Sequence, residues 1–484
     1  MTSAPAADLV PTTRTAFLVD GEWRAPATNA TILVESPATG EVVGSVPSAS
    51  LADVDAAVEA ADRAFRRWSG SPVEDRIAAL HRLADALAER VPAIAAAMTL
   101  EVGTPVAQAE VMHAAPCVAV ARYYAELLAG FAFEERRNGA RSTIVRRRPV
   151  GPAAALIPWN GPPFAAIAKL APALAAGCSV VLKPSPDAPL STFLIADAVQ
   201  AADLPPGLVN VISAEAEASA HLVAHPLVRK VAFTGSEAVG RSIAEVCGRE
   251  LKHCTLELGG KSAAVLLDDV DLDAVLGPLR MAAFANNGEL CTARSRVLVP
   301  RSRAAELTEA VRELTASLRV GDPADPTTEV GPMISRRHRD RVLGHVERGS
   351  RNGATLLTGG GVPEWAEHGW YVTPTAFGDV DNSAALAQEE IFGPVVTVTA
   401  YDDEDDAVRL VDDSRYGLSG TVFTTDVDRG IAFARRVDTG QFGINQTGGD
   451  LGSPFGGVKA SGMGREMGPE GLAAYLEHQT LIVP

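Results

Sequence analysis

From Val150 onward, short apolar runs alternate with helical stretches, and this alternation constrains the fold more than any other feature of the chain. Runs 153–157, 179–182, 209–212 and 231–234 read as strands, with helices over 164–176, over 190–202 and from Ser236. The pattern resumes with strand 263–267, helix 271–285, strand 296–299 and helix 304–318. Strands buried on both faces and joined by crossover helices make a parallel, doubly wound sheet. Two such blocks predict two α/β domains with a cleft between them, and 484 residues exceed what one core usually serves.

Ahead of these blocks, Leu18 to Trp23 reads as a hairpin turning at Asp20-Gly21. Asp53 is expected to cap a helix with Val54, Val58, Ala61, Phe65 and Trp68 on its inner face. Helices from Val73 and over 109–128 follow. Residues 131–149 form a charged hairpin around Asn138-Gly139 with no core of its own, a candidate for pairing with another chain.

The net charge of −17 excludes a broad nucleic-acid or anionic-membrane surface. The most apolar stretch, 162–182, is interrupted by Lys169, Pro172 and Gly177 and reads as a buried helix and strand, not a membrane span. Five cysteines without C-x-x-C spacing argue against a disulfide framework and a zinc site. With no secretory start over residues 1–19, a cytoplasmic protein is expected.

The chemistry concentrates between Glu257 and Cys291. Glu257-Leu258-Gly259-Gly260-Lys261 opens the stretch, and Asn287-Gly288-Glu289-Leu290-Cys291-Thr292-Ala293 closes it. A thiol and a carboxylate in one site suit covalent catalysis, the sulfur attacking and the carboxylate handling protons. A lone Cys is more often an apolar filler. Two βα turns, Lys183-Pro184-Ser185 and Phe233-Thr234-Gly235-Ser236 leading to Gly240, stand where parallel sheets bind phosphates and ribose. The G-x-G-x-x-G fingerprint is absent.

Taken together, these motifs resemble the aldehyde dehydrogenase superfamily. Pro158-Trp159-Asn160, Glu389-Glu390-Ile391-Phe392-Gly393-Pro394 and Pro454-Phe455-Gly456-Gly457 extend the match over nearly the whole chain. The resemblance implies that Cys291 is the nucleophile, Glu257 the general base and Asn160 an oxyanion donor. It implies a nicotinamide dinucleotide held by Trp159, Lys183, Ser185, Gly235, Ser236, Gly240, Leu258, Glu390 and Phe392, with no metal. The cofactor is expected to be NAD, with NADP possible: Pro186 stands where NAD-preferring relatives carry an acid, and Asp187 follows it. The implied division is a dinucleotide-binding domain over 1–130 and 151–257, and a catalytic domain over 258–457. Residues 131–150 and 470–484 then form an oligomerisation element of a homodimer or homotetramer. The small-molecule substrate is expected to be a bulky aromatic, terpenoid or medium-chain aldehyde, because Gly161, Ala165, Ala166, Ala168 and the loop 446–451 lack the aromatic walls common in relatives. The alternatives are a CoA-acylating relative, which typically lacks the base, and a non-catalytic binding protein.

Overall fold

A computed structural model describes residues 9–484; the first eight residues of the segment read for a secretory start lie outside the described residues. Two sheets organise the chain. The first runs, edge to edge, Glu22–Arg24, Phe17–Val19, Val209–Val211, Val180–Lys183, Ala153–Leu156, Lys230–Thr234, His253–Glu257 and Gly462–Met463. Its five central strands are parallel, in the spatial order 3-2-1-4-5 by chain position. The order reverses between Ala153–Leu156 and Lys230–Thr234, and such a switch point leaves a crevice at the carboxyl ends of the strands. The outer strands are antiparallel, so the sheet is mixed at its edges.

The second sheet carries Ala263–Leu266, Arg296–Pro300, Thr375–Gly378, Val395–Tyr401, Gly420–Phe423 and Gly443–Ile444 in parallel, with Thr355–Thr358 antiparallel at one edge. Helix Pro162–Ala176, all but its Phe164 buried, covers the first sheet, and its left-handed Gly177 ends it. The expected α/β architecture of two doubly wound sheets is thus present.

The hairpin near the N-terminus forms as read, with Asp20 and Gly21 both at positive φ, as a tight two-residue turn requires. The helix after it starts at Leu51, and its cap is Ser50, not Asp53. Ser50 Oγ accepts from the Asp53 N–H at 3.3 Å while Asp53 Oδ2 accepts from the Ser50 N–H at 2.9 Å, a reciprocal capping box. The single helix expected over 109–128 is divided: a wide turn, Glu110–Ala114, precedes helix Ala115–Gly130. The charged hairpin Glu134–Asn138 and Ser142–Pro149 forms, and Leu476–Val483 pairs antiparallel with its second strand along eight residues. Among the described residues, no helix is long and apolar enough to cross a membrane.

Candidate active site

Four sequence candidates lie at one edge of the first sheet because each ends or follows a parallel strand. Lys183 closes its strand, Asn160 follows Ala153–Leu156, Gly235 follows Lys230–Thr234, and Glu257 closes His253–Glu257. Leu258 to Lys261 then crosses to the second sheet, which begins at Ala263.

Cys291 is brought to this crossing by an unusual turn. Asn286, Asn287 and Gly288 all have positive φ (49°, 62° and 73°), a conformation that Asn and Gly tolerate best. Side chains tie the turn down: Asn287 Nδ2 donates to the carbonyls of Gly103 and Pro332, and Thr104 Oγ1 donates to Asn286 Oδ1 at 2.7 Å. A Cβ on Gly260 would lie 2.4 Å from the Cys291 carbonyl oxygen, so only glycine lets the crossing pass this close. Asn160 Nδ2 donates to the Glu289 carbonyl at 2.9 Å, and Asn286 Nδ2 donates to the Asn160 carbonyl at 2.9 Å. Asn160 is thereby joined to the loop that carries Cys291. Glu289 is fully buried and accepts from the Ile334 N–H at 3.0 Å, a structural role.

Burial disfavours charge on both the thiol and the carboxyl. Burial pushes the Cys291 thiol up to about 12, and the Glu390 and Glu257 carboxylates add to the shift. Burial, then Glu466, hold the Glu257 carboxyl well above the usual carboxylate range, against the pull of Lys169 and Arg465. Neither carboxyl oxygen of Glu257 has a hydrogen-bond partner in the protein. Lys169 Nζ lies 2.7 Å from Glu466 and donates to Thr234 Oγ1 at 2.6 Å. Lys169 and Glu466 were not identified as site residues from sequence. A lysine inside the most apolar helix was the available signal, since a buried charge needs a partner.

The remaining candidates line the same edge. Glu390 Oε1 accepts from the Gly260 N–H at 2.9 Å. Phe392 adopts φ 62° and meets Trp159 edge-on at 5.3 Å. His338, also missed from sequence, joins them: its ring lies 5.4 Å from Trp159 and its Nε2 2.6 Å from the Phe392 carbonyl. Ser236 caps helix Glu237–Glu250, accepting from the Val239 N–H at 3.5 Å. The Gly235 N–H donates to the Glu257 carbonyl at 3.0 Å. A Cβ on Gly240 would strike Leu258 Cδ2 at 2.4 Å, so this glycine lets Leu258 pack onto the first helical turn. Lys183 is buried, and burial lowers its ammonium to about 8. Ser185 Oγ and Asp187 Oδ2 lie 3.4 Å apart, and Asp187 is exposed.

The carboxyl edge of a doubly wound sheet thus carries Lys183, the Gly235-Ser236 turn and Glu257, and the loop of Cys291 lies against the crossing that leaves Glu257. The chain belongs to the aldehyde dehydrogenase family, whose family model matches residues 23–481. It is 45% identical over 469 residues to geranial dehydrogenase of Castellaniella defragrans, covering 96% of this chain and 98% of that one. An aldehyde dehydrogenase of Mycobacterium tuberculosis in complex with NAD+ superposes with a TM-score of 0.96 at 42% identity, covering 98% of this chain and 99% of that one. A Cys-to-Ala variant of aldehyde dehydrogenase C from Pseudomonas syringae, in complex with NAD+ and octanal, gives 0.95 at 39% identity, covering 98% and 97%.

Proposed function

We propose that the protein oxidises a medium-chain, terpenoid or bulky aromatic aldehyde to its carboxylic acid, using NAD, through a thioester on Cys291. The observation that carries this reading is that Asn160 is hydrogen-bonded to the loop of Cys291, while the crossing that leaves Glu257 passes against Cys291 at Gly260. When bound, the dinucleotide supplies the hydride acceptor. The cleft fits it: Lys183 offers a buried ammonium for ribose hydroxyls, and the turn at Gly235-Ser236 opens a helix N-terminus towards a pyrophosphate. Glu390, Phe392 and Trp159 would hold the nicotinamide end, with Ser185, Gly240 and Leu258 completing the cradle.

Cys291 gives its proton to solvent water and adds as the thiolate to the aldehyde carbon. Asn160 Nδ2 donates to the oxygen, whose charge develops as the tetrahedral adduct forms. Loss of hydride from that carbon leaves the thioester. Glu257 takes a proton from water, which attacks the thioester, and the sulfur departs as the acid forms. The raised thiol means that Cys291 needs positive charge near it to ionise, which the nicotinamide ring would supply when bound.

Glu257 favours water over coenzyme A as acyl acceptor, against a CoA-acylating reading, and the intact set of Cys291, Asn160 and Glu257 speaks against a non-catalytic binder. The geranial and octanal of the two relatives support the substrate class. We read residues 1–130 and 151–257 as the dinucleotide domain and 258–457 as the catalytic domain. The 131–150 and 470–484 sheet, whose Glu134–Asn138 strand has one free edge, is read as joining a homodimer or homotetramer. The cysteine usage suits a cytoplasmic setting. Following reduced nicotinamide with aldehydes of graded size, NAD or NADP, and with or without coenzyme A tests the reading. No turnover with any aldehyde would overturn it.

A further inference from the structure

Pro186 offers the cofactor no acid beside Lys183, yet Lys183 does not stand alone. The strand Val180–Lys183 pairs in parallel with Val209–Val211, in the register Leu182 to Val211. The chain leaving that neighbouring strand therefore rises beside the Lys183 turn, and it reaches helix Ala216–Ala224 through Glu215. Glu215 holds the capping position, but its carboxylate makes no side-chain hydrogen bond to its own helix and is exposed. Asp187, by contrast, folds back onto its own turn, where Ser185 Oγ donates to it and also accepts from its N–H, both at 3.4 Å. Of the charges around Lys183, the Glu215 carboxylate acts on the ammonium most strongly, ahead of Asp187.

An ammonium flanked by a free carboxylate suits a neutral vicinal diol. The hydroxyls can donate to the carboxylate and accept from the ammonium. Without the carboxylate, a lysine next to a helix N-terminus suits a phosphate instead. Building on the cofactor reading above, we propose that Glu215 is the specificity-determining residue for the dinucleotide, reading the adenosine ribose as a free diol and repelling a 2′-phosphate. The acid that Pro186 cannot supply thus comes from the next βα turn of the sheet.

Calorimetric titration of the full chain with NAD, NADP and 2′-AMP, alongside kcat/KM for both dinucleotides, tests this. Glu215→Gln is expected to move the NADP-to-NAD affinity ratio at least ten-fold towards NADP and to tighten 2′-AMP, while Asp187→Asn moves the ratio less than two-fold. A ratio unchanged in Glu215→Gln, or moved instead by Asp187→Asn, would overturn the assignment. Lys183→Ala is the control for the site itself. NAD affinity that survives it unaltered would remove the cofactor reading at Lys183, a failure distinct from that of Glu215 alone.

Discussion

The imidazole of His113 occupies the place towards which a side chain at Gly161 would point: a Cβ at 161 would lie 3.3 Å from both Cε1 and Nδ1 of the ring. The wide turn Glu110–Ala114 delivers His113 there, buried, with its Nε2 unpartnered in the protein and its ring held neutral by burial, pushed down to about 4. The expectation that Gly161 simply widens the substrate channel therefore needs correction. Ala165, Ala166 and Ala168 are buried in the helix behind.

From that contact, Gly161→Phe is expected to destabilise the fold by about 1–3 kcal/mol through overpacking and to depress activity with small and large aldehydes alike. Adding His113→Ala should recover much of both losses. Thermal melts and kcat/KM for acetaldehyde and a terpenoid aldehyde across the four-member cycle measure the coupling. Additive losses would show that the two sites do not share space.

Glu257→Gln should leave acylation largely intact while cutting steady-state turnover by at least a hundred-fold, because Gln cannot take a proton from water. It also removes one of the two carboxylates that raise the Cys291 thiol. A stopped-flow burst near one reduced cofactor per site, followed by near silence, is the expected trace. Cys291→Ala should show neither phase. Wild-type steady-state rates in either variant would strip that residue of its role.

The ammonium of Lys183, lowered to about 8 by burial, gives cofactor binding a pH dependence. Its charge is present below that value and lost as pH rises through it, so a contact made by the charged form weakens on the alkaline side. The KM for NAD is expected to climb several-fold between pH 7 and pH 9.5. In Lys183→Met it should already be high at pH 7 and respond little to pH. A flat wild-type profile would argue that the ammonium does not touch the cofactor.

The parallel sheets were legible because buried strands such as Val180–Lys183 and Ala263–Leu266 are unbroken apolar runs framed by helices. Family motifs then singled out Cys291, Glu257 and Asn160 as the candidates. Less local features were not legible. The strand Gly462–Met463 is two residues long and joins the first sheet only by long-range pairing with Leu256 and Glu257. Helix Arg336–Arg351 was missed although it supplies His338 to the site, because its arginine-rich face hides the buried stripe of Val342 and Val346. The contact of His113 with Gly161 depends on where a wide helical turn points one side chain, which no linear spacing encodes.

Lys169 gives the clearest link between buried charge and the reaction. Its ammonium is fully buried, 2.7 Å from Glu466, and the two act on Glu257 with opposite sign: Glu466 raises its carboxyl and Lys169 lowers it. Lys169→Met keeps the length and much of the apolar stem but removes the positive charge. Glu466 then stands uncompensated beside Glu257, and both effects push the Glu257 carboxyl further up. If Glu257 is the base proposed above, it acts in its ionised form, and the pH at which deacylation reaches half its maximum should move to more alkaline values. The burst, which depends on Cys291 and Asn160, should keep its amplitude. Breaking a buried pair also costs about 3–5 kcal/mol of stability, so the variant should melt earlier. Replacing both partners, Lys169→Met with Glu466→Gln, removes the opposing charges together and should return the pH midpoint towards the wild-type value. A midpoint unmoved in the single variant would show that the ion pair serves the fold and not the base.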